Sequence, residues 1–302
     1  MSGKLIDAAA VREALSSPVP SVNPVFCENG DIDWEKTKGL IDFFIETGSK
    51  TLLMTYGDSL LSILDDEEIY KFNKLMVDTA AGRAMTIACG GWWDLKRHKA
   101  LAEAMKEAGA DLYIPYFPDW AQSADADLLT GCFKEIGKII PVMLLTAMGG
   151  RGIPYPVFDV LTQDDGIFAV KNDTPMPYSK ELGYRIRDKF AYLSGGTASF
   201  FLEEYPYGAD GYLSVYARCF PEVSDLFWKT FNEKGIKESV SVIEKYELPI
   251  RQFWDKAHFA AVTHAMQEIA GVGSRYRRAP YSSLTDAQTE ELRALLKNIG
   301  VI

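Results

Sequence analysis

The feature of this sequence that most restricts its fold is the regular alternation of short apolar runs with longer amphipathic segments. This alternation is typical of a mainly parallel sheet whose crossover connections are helices. Eight candidate strands match a closed (β/α)₈ barrel, and an α/β barrel is therefore the predicted fold class. The candidate strands are Val19–Val25, Thr51–Thr55, Met85–Cys89, Leu112–Pro115, Val142–Thr146, Ile167–Lys171, Tyr192–Ser194 and Gly211–Val215.

Helical segments lie between the strands and dominate the C-terminal part of the chain. Asp33 is a suitable cap for Trp34–Glu46, and we interpret Ser179 as the cap of Ser179–Lys189. From Pro221 onward the periodicity is helical only, so we predict a barrel over residues 1–225 and a C-terminal helical extension over residues 226–302. Further helices are predicted over Asp65–Glu68 and beyond, His98–Ala108, Ala124–Ile136, Val157–Leu161, Pro221–Phe231, Ile236–Tyr246, Phe253–Ala270 and Asp286–Ile299.

Charge and composition argue against several classes of function. The formal net charge is -10, which argues against general nucleic-acid binding, and we interpret the basic cluster Arg275, Arg277, Arg278 as a solvated or interface patch. The 4 cysteines form no C-x-x-C pair, so neither a disulfide framework nor a zinc site is expected. We find no signal peptide and no apolar run of roughly 20 residues. A soluble cytoplasmic protein without membrane or nucleic-acid partners is expected.

Polar residues that end strands are the candidates for chemistry, because active sites of such barrels lie at the C-terminal ends of the strands. Lys171 ends the apolar run Ile167–Val170. Burial there disfavours the charged ammonium, and a neutral amine can attack a ketone to form an imine. The alternative is a strand-end lysine that extends to solvent. Position alone leaves both interpretations open.

Three loops after strands add further candidates. Thr55–Asp58 contains a glycine between polar residues, which suits a carboxylate-binding turn or an ordinary turn. In Gly149–Gly152, Arg151 is either a carboxylate ligand or a loop charge. Trp92 and Trp93 either line a substrate pocket or form part of a lid or a subunit interface, and we favour the lid or interface role. The histidines show no zinc-binding spacing.

Short motifs in a fixed order along nearly the whole chain carry a family resemblance. Met54–Asp58 corresponds to G-T-T-G-E, Ala169–Thr174 to the lysine-bearing G-[IV]-K-[DE]-x-[ST], and Gly208–Ser214 to G-x-D-G-x-I-S. The other matches are Asn23–Val25, Gly30–Asp33, Leu64–Glu68, Gly82–Arg83, Gly109–Asp111, Pro115–Phe117, Ser194–Gly195 and Tyr281–Thr285. The chain thus resembles the dihydrodipicolinate synthase and N-acetylneuraminate lyase family, the Schiff-base aldolases built on a TIM barrel.

The chain departs from this family where protons are transferred. Leu145 stands at the tyrosine of Y-N-x-P, and Phe117 stands where dihydrodipicolinate synthase has a second relay tyrosine. Neither side chain can transfer a proton, so a role in lysine biosynthesis is doubtful. We hypothesise that Tyr56 replaces them, with Tyr116 and Thr146 ranked behind it.

Binding positions also depart from the family pattern. Asp58 is one methylene shorter than the glutamate of G-T-T-G-E. The family arginine aligns with Gly150, with Arg151 one residue further on.

The resemblance implies a class I lyase, an aldolase or a dehydratase, acting on pyruvate or a pyruvate-derived 2-keto acid such as a 2-keto-3-deoxy sugar acid. The implied catalytic residues are Lys171 and Tyr56. The implied substrate-binding residues are Thr55, Gly57, Asp58, Arg151 and Ser214. No metal or organic cofactor is implied, because the lysine itself acts as the electron sink. A homo-oligomer, either a dimer or a tetramer, is implied as well.

Two alternatives remain open at this point. In the first, loss of the relay tyrosine marks a catalytically degenerate barrel that binds a keto acid as a sensor or regulator. In the second, the barrel performs unrelated chemistry and Lys171 only neutralises a substrate charge.

Overall fold

Eight parallel strands form a barrel in the computed structural model, which describes residues 6–148 and 151–302. The barrel strands are β1 (Pro18–Val19), β2 (Thr51–Leu53), β3 (Met85–Trp92), β4 (Leu112–Tyr116), β5 (Val142–Leu145), β6 (Ile167–Asn172), β7 (Ala191–Ser194) and β8 (Gly211–Leu213). Their hydrogen-bonded order is β1-β8-β7-β6-β5-β4-β3-β2, and all pairs are parallel. The predicted fold class is confirmed. Each of the eight predicted strands overlaps an observed strand, although β1 shares only Val19 with the predicted strand Val19–Val25.

The barrel closes between its first and second strands. Ser21, just beyond β1, forms a parallel bridge with Leu53 of β2. The backbone N–H of Val22 donates to the carbonyl oxygen of Leu53 at 2.8 Å. Because all the strands run in the same direction, their carboxyl ends open at one rim, and residues that follow different strands meet there.

Helices fill the connections between the strands and cover the outside of the barrel. Helix α1 precedes β1 and was not predicted, although Asp7 caps it by accepting hydrogen bonds from the N–H groups of Ala9 and Ala10. The helices are α1 (Ala8–Leu15), α2 (Trp34–Glu46), α3 (Asp66–Ala80), α4 (Leu95–Ala108), α5 (Ala126–Gly137), α6 (Tyr155–Leu161), α7 (Met176–Ile186), α8 (Ala198–Glu204), α9 (Pro221–Lys234), α10 (Ile236–Val242), α11 (Leu248–Phe253), α12 (Phe259–Ile269) and α13 (Asp286–Asn298). A π-helical turn over Ile243–Glu247 joins α10 to α11.

Two helix assignments made from the sequence are wrong. Helix α7 begins at Met176 after Pro175, so Ser179 is not its cap. Ser179 is buried in the second turn and accepts a hydrogen bond from Asn172 Nδ2 at 2.6 Å. The helix predicted over Phe253–Ala270 is not continuous. Helix α11 ends at Phe253, and α12 begins six residues later at Phe259.

The C-terminal helices form a second apolar cluster beside the barrel core. Buried residues of α11, α12 and α13, among them Ile250, Met266 and Leu292, make up this cluster. Helix α9 joins the two cores, since Phe227 packs in the barrel core and Val223 in the second cluster. Residue 225 lies inside α9, and the division into residues 1–225 and 226–302 remains a proposal.

The basic cluster near the C-terminus is engaged within the fold. Arg278 donates to both carboxylate oxygens of Glu68, at 2.7 and 2.8 Å. Arg275 pairs with Asp286, and Arg277 is buried. The interpretation as a solvated patch is therefore wrong, because ion pairs and burial occupy these side chains.

A short antiparallel hairpin that the sequence did not predict follows β5. It pairs Ala147–Met148 with Arg151–Gly152. Gly149 and Gly150, which belong to the predicted loop and include the position aligned with the family arginine, lie outside the described residues.

Candidate active site

Lys171 lies near the carboxyl end of β6, as the apolar run before it predicts. The residue is 3% exposed, so it does not extend to bulk solvent. Its Nζ donates to both carboxylate oxygens of Asp173, each at 2.5 Å. In the register of β5 against β6, the residue opposite Lys171 is Leu145. The amine therefore has a carboxylate partner directly after its own strand and an apolar residue opposite it on β5.

A buried polar network fixes the end of β6 just beyond the lysine. Asn172 accepts from Thr146 Oγ1 at 2.8 Å. Its amide group donates to Ser179 Oγ at 2.6 Å and to Glu204 Oε1 at 2.7 Å. Burial raises the pKa of Glu204, and hydrogen bonds from the surrounding side chains oppose this shift. Hydrogen bonds to three neighbouring segments thus hold the backbone beside Lys171.

The sequence reasoning missed Asp173, which occupies the variable position of the lysine-bearing motif. Its backbone N–H donates to Thr146 Oγ1 at 3.0 Å, and its side chain is 29% exposed. Residues two apart in a strand point to the same face. The spacing of Lys171 and Asp173 was the available signal.

The loop after β2 is closed by hydrogen bonds of its own. Thr55 is buried, and its Oγ1 accepts from the N–H of Asp58 at 3.1 Å. The N–H of Thr55 donates to Ser59 Oγ at 2.9 Å. A Cβ at Gly57 would meet no atom within 4 Å, so the loop is open at that residue.

Tyr56, the predicted relay residue, lies on the rim and packs against aromatic neighbours. Its ring centroid is 4.8 Å from that of Tyr116. Burial raises the pKa of Tyr56, with smaller contributions from Tyr281 and Cys89. Cys89 is fully buried, which raises its pKa to about 12, although Lys171 acts in the opposite direction. Tyr56 and Lys171 therefore share Cys89 as a neighbour.

Asp58 faces a buried arginine that the sequence reasoning did not select. Arg218 follows β8 and is 3% exposed. Its Nη2 donates to Asn23 Oδ1 at 2.7 Å, whereas its Nη1 lies 3.8 Å from Asp58 Oδ1. Its Nε has no hydrogen-bond partner among the described residues. In the sequence, the family motif matched by Gly208–Ser214 was the one signal near Arg218.

Two other predicted binding residues have partners within the protein. Arg151 Nε donates to the buried carboxylate of Asp119 at 2.6 Å, and its Nη2 donates to the carbonyl oxygen of Ala124 at 3.2 Å. Ser214 Oγ lies 2.7 Å from Ser224 Oγ of α9. A substrate would have to replace these contacts to use either side chain.

Two adjacent cavities open at the rim. The first, the lysine-side cavity, has a volume of about 340 Å³ and is lined by Asn172, Asp173, Gly195, Gly196, Phe200 and Glu204, among others. The second, the arginine-side cavity, has a volume of about 180 Å³ and is lined by Ser21, Asp58, Gly195, Gly196, Arg218 and Trp254, among others. Gly195 and Gly196 line both cavities. Lys171 lines neither cavity, but its hydrogen-bond partner Asp173 lines the lysine-side cavity.

The two tryptophans after β3 differ in exposure. Trp92 is 41% exposed and lies 6.3 Å from the ring of Tyr116. Trp93 is buried against His98, with ring centroids 5.8 Å apart. Phe117 also packs on His98, at 4.8 Å. Of the pair, Trp92 alone presents a large apolar surface to a lid or a partner subunit.

The described residues show no disulfide, no metal-binding cluster and no membrane-spanning helix. All four cysteines are free. Within residues 6–148 and 151–302, no group of three His, Cys, Asp or Glu side chains could hold a metal ion. Across the same residues, every helix is too short or too polar to span a bilayer.

Residues 15–299 match the dihydrodipicolinate synthetase family. The 4-hydroxy-tetrahydrodipicolinate synthase of Ectopseudomonas mendocina (strain ymp) is 27% identical over 296 residues, which cover 95% of this chain and 98% of that protein. The enzyme of the same name from Methanosphaera stadtmanae is 29% identical over 293 residues, which cover 92% of this chain and 96% of that protein.

Solved structures share the fold over almost the whole chain. A prophage protein of the dihydrodipicolinic acid synthase family from E. coli K12, in complex with pyruvate, has a TM-score of 0.84 and 20% identity, covering 95% of this chain and 99% of that one. N-acetylneuraminate lyase from Fusobacterium nucleatum has a TM-score of 0.82 and 16% identity, with coverage of 95% and 99%. A catalytic-lysine mutant of the Ruminococcus gnavus sialic acid aldolase has a TM-score of 0.83 and 17% identity, with coverage of 95% and 96%.

Proposed function

Because this chain belongs to the dihydrodipicolinate synthetase family, we propose that it is a class I lyase that forms a Schiff base between Lys171 and pyruvate or a pyruvate-derived 2-keto acid. The observation that carries the proposal is the position of Lys171, a buried lysine one residue before the carboxyl end of the sixth strand of the barrel. A similar structure was solved in complex with pyruvate, and another is described as a catalytic-lysine mutant of an aldolase.

The chemistry requires an electron sink and an anion site. An imine at Lys171 withdraws electrons from the adjacent carbon, so a carbanion there becomes accessible without a metal. We assign the keto-acid carboxylate to Thr55, Tyr56 and the amide of Gly57, where the loop after β2 has open space beside the glycine. Asp58 and Ser214 line the arginine-side cavity, next to the region where we place the substrate.

Tyr56 is proposed to transfer a proton in the carbon–carbon or carbon–oxygen step. Its phenol lies on the rim, and burial raises its pKa, so the phenol stays protonated as a general acid. Arg151 was assigned to the distal end of the substrate. That role requires its guanidinium to leave Asp119, and we rank it behind the other assignments.

Reductive trapping tests the Schiff base directly. The protein is incubated with pyruvate and borohydride, digested, and analysed by mass spectrometry. We expect a stable reduced adduct on Lys171. The Lys171→Ala variant should remain unlabelled. The matched control Lys180→Ala, which removes a lysine of α7 that lies over the ring of Tyr207, should be labelled like the wild type. An unlabelled wild-type protein contradicts the proposal.

A sensor or regulator of keto-acid level is the second candidate function. The observation that favours it is Leu145, an apolar residue paired in register with Lys171 where the family places its relay tyrosine. Labelling of Lys171 without aldol or elimination turnover would support this candidate. Absence of labelling would favour unrelated chemistry in which Lys171 only neutralises a charge.

A homo-oligomer, a dimer or a tetramer, is proposed for the assembled protein. Trp92, with its exposed ring beside the rim, is a candidate interface residue. Light scattering of the purified chain measures the oligomeric state, and a monomer over the working concentration range contradicts the proposal.

A further inference from the structure

We propose that Asp173 is the catalytic residue that moves the protons of imine formation at Lys171. This inference rests on the proposed Schiff-base function. In this assignment Asp173 transfers the protons at the lysine nitrogen, and Tyr56 transfers a proton in the later carbon–carbon or carbon–oxygen step.

Asp173 is in direct contact with the atom that reacts. Both of its oxygens accept from Lys171 Nζ at 2.5 Å, which is within the reach that proton transfer requires. Its side chain also lines the lysine-side cavity. The carboxylate therefore touches the amine on one side and the space for substrate on the other.

The surrounding residues hold this carboxylate in place. The N–H of Asp173 donates to Thr146 Oγ1 at 3.0 Å. An ideal Cβ on Gly195 would overlap Asp173 Oδ1, so glycine is needed at that position to leave room for the carboxylate. On the neighbouring strand Leu145 has no group that exchanges protons. Among the described residues, Asp173 is the group bonded to the amine.

The proton transfers balance in four steps. The Lys171 ammonium gives one proton to the Asp173 carboxylate, and the neutral amine attacks C2 of the keto acid. The new C–N bond pushes the carbonyl electron pair onto oxygen, and this alkoxide takes a second proton from nitrogen. Asp173 then protonates the resulting hydroxyl group, and the C–O bond breaks to release water. The nitrogen lone pair forms the iminium, which faces the regenerated Asp173 carboxylate.

Imine-formation rates of Asp173 variants test this role. The rate of pyruvate labelling with borohydride should fall about 100-fold in Asp173→Asn, and Asp173→Ala should fall similarly. Added formate should restore part of the Asp173→Ala rate, because a small carboxylic acid can enter the vacated space. A merely structural aspartate gives no such rescue. The control Asp159→Asn, which breaks a pair with Arg185 on outer helices, should keep the wild-type rate.

The outcomes separate this inference from the proposed function. If wild-type Lys171 is labelled and Asp173→Asn is labelled equally fast, the role of Asp173 is wrong and the Schiff base stands. If the wild type is not labelled, the Schiff base and the role of Asp173 are both wrong. Slow labelling that formate does not restore also contradicts the catalytic role.

A second, independent observation concerns the arginine-side cavity, from which we infer that the substrate carries a second carboxylate bound by Arg218. Arg218 is buried, yet it lines this cavity. Among its described contacts the guanidinium donates one hydrogen bond, to Asn23. Asp58 at 3.8 Å is beyond hydrogen-bond distance. A guanidinium has five N–H donors in a planar fork that matches a carboxylate.

Charge and position both favour a distal carboxylate. Arg277 is also buried, and the charge of Arg218 lowers the pKa of Arg277 after the larger effect of burial. Two buried guanidiniums thus repel each other, and an anion bound between the strand ends would relieve this repulsion. Gly195 and Gly196 line both cavities, so the arginine-side cavity adjoins the cavity that Asp173 lines. We therefore place the distal end of the keto acid beside Arg218.

Two keto acids of equal carbon number test this inference, which also rests on the proposed function. 2-Oxoglutarate and 2-oxopentanoate differ by a terminal carboxylate in place of a methyl group. As competitors of pyruvate labelling, 2-oxoglutarate should bind about tenfold tighter to the wild type. Arg218→Met should remove this preference while pyruvate labelling persists. Arg218→Lys keeps the positive charge and should retain part of the preference for 2-oxoglutarate. The control Arg185→Met should retain the whole preference.

Two results would overturn the assignment of Arg218. The first is equal affinity of the wild type for the two competitors. The second is a loss of pyruvate labelling in Arg218→Met as large as the loss of 2-oxoglutarate affinity, since Arg218 would then hold the carboxylate common to all keto acids. If pyruvate labels nothing, calorimetric binding of the same two acids still tests Arg218 separately from Lys171.

Discussion

At the scale of single residues, the surroundings of Lys171 divide the chemistry between two places. The carboxylate of Asp173, directly after β6, contacts the amine, and the residues opposite Lys171 on the two adjacent strands are Leu145 and Leu193. The phenol of Tyr56 lies on the rim, where a carbonyl acceptor would approach the enamine. Proton transfer at nitrogen and proton transfer at carbon are thus assigned to different side chains.

Replacing Tyr56 with phenylalanine tests this division. The variant keeps the ring that packs on Tyr116 and loses only the acidic hydroxyl. We expect turnover with an aldehyde to fall about 100-fold and pyruvate labelling of Lys171 to fall much less, because Thr55 and the amide of Gly57 still hold the carboxylate. Steady-state kinetics and borohydride trapping measure the two effects. Full turnover in Tyr56→Phe would remove Tyr56 from the relay.

A methyl group at Gly195 should disturb the lysine site and the fold together. The added Cβ would overlap Asp173 Oδ1 and press on the carbonyl oxygen of Asn172, so backbone and side chains must move. We expect Gly195→Ala to lower the free energy of unfolding by about 1–3 kcal/mol and to slow labelling. Urea unfolding measures the first effect. Gly39→Ala, which meets no atom within 4 Å, is the control, and equal behaviour of the two variants contradicts the expectation.

At the scale of secondary-structure elements, His98 joins α4 to the barrel strand β4. Its Nδ1 lies 2.8 Å from the hydroxyl of Tyr113, and its Nε2 accepts from the N–H of Tyr116 at 3.2 Å. Full burial lowers the pKa of His98 from 6.5 to about 4. The folded protein therefore holds this imidazole neutral where the unfolded chain would bind a proton.

Stability should consequently fall with acidity between the two pKa values. Between pH 6.5 and pH 4 the unfolded state binds more protons than the folded state, so the unfolding free energy rises with pH. The full difference is about 3 kcal/mol. Urea unfolding at several pH values measures this slope for the wild type and for His98→Asn, which cannot titrate. The two proteins should differ in slope over this range, and parallel slopes would contradict the assignment.

The sequence predicts elements well where local signals agree and poorly where tertiary contacts decide. Trp34–Glu46 has the predicted limits, because its cap residue and its apolar spacing point to the same helix. Ser179 is of a residue type that often caps helices, but its hydroxyl accepts a hydrogen bond from Asn172 instead. This contact forms only in the folded barrel. The break between α11 and α12 has apolar residues on both sides, so periodicity alone does not show it.

The same limit applies to the site. Lys171 was found because a polar residue at the end of an apolar strand is conspicuous. Asp173 lies two residues later on the same face, but the family pattern treats that position as variable. Arg218 has no local signal, since its partners Asn23 and Asp58 are distant in sequence and meet it only when the barrel closes.

At the scale of the whole molecule, Arg278 ties the C-terminal extension to the barrel. Its guanidinium donates to both oxygens of Glu68 and to the carbonyl oxygens of Gly30 and Ile63. The side chains of this ion pair are about one quarter exposed, so solvent screens part of the interaction. One residue of the extension therefore contacts both of the first two βα units.

Removing this tie should destabilise the protein modestly. We expect Arg278→Met to lower the free energy of unfolding by about 1–2 kcal/mol, because the carboxylate of Glu68 and two carbonyl groups lose a charged donor. Chemical denaturation measures the change. The control Arg293→Met removes an exposed pair within α13 and should change stability by less than about 0.5 kcal/mol. A larger loss in Arg293→Met than in Arg278→Met would contradict the coupling.

The closure of the barrel has a dynamic consequence. β1 has only two residues, and the ring is completed by the bridge between Ser21 and Leu53. Opening there breaks fewer hydrogen bonds than opening between β5 and β6, so transient separation should begin at this junction. Hydrogen–deuterium exchange should consequently be faster for the amide of Val22 than for that of Val170. The barrel mouth beside Arg218 would then widen and narrow as β1 and β2 separate and pair again, without the movement of a separate loop.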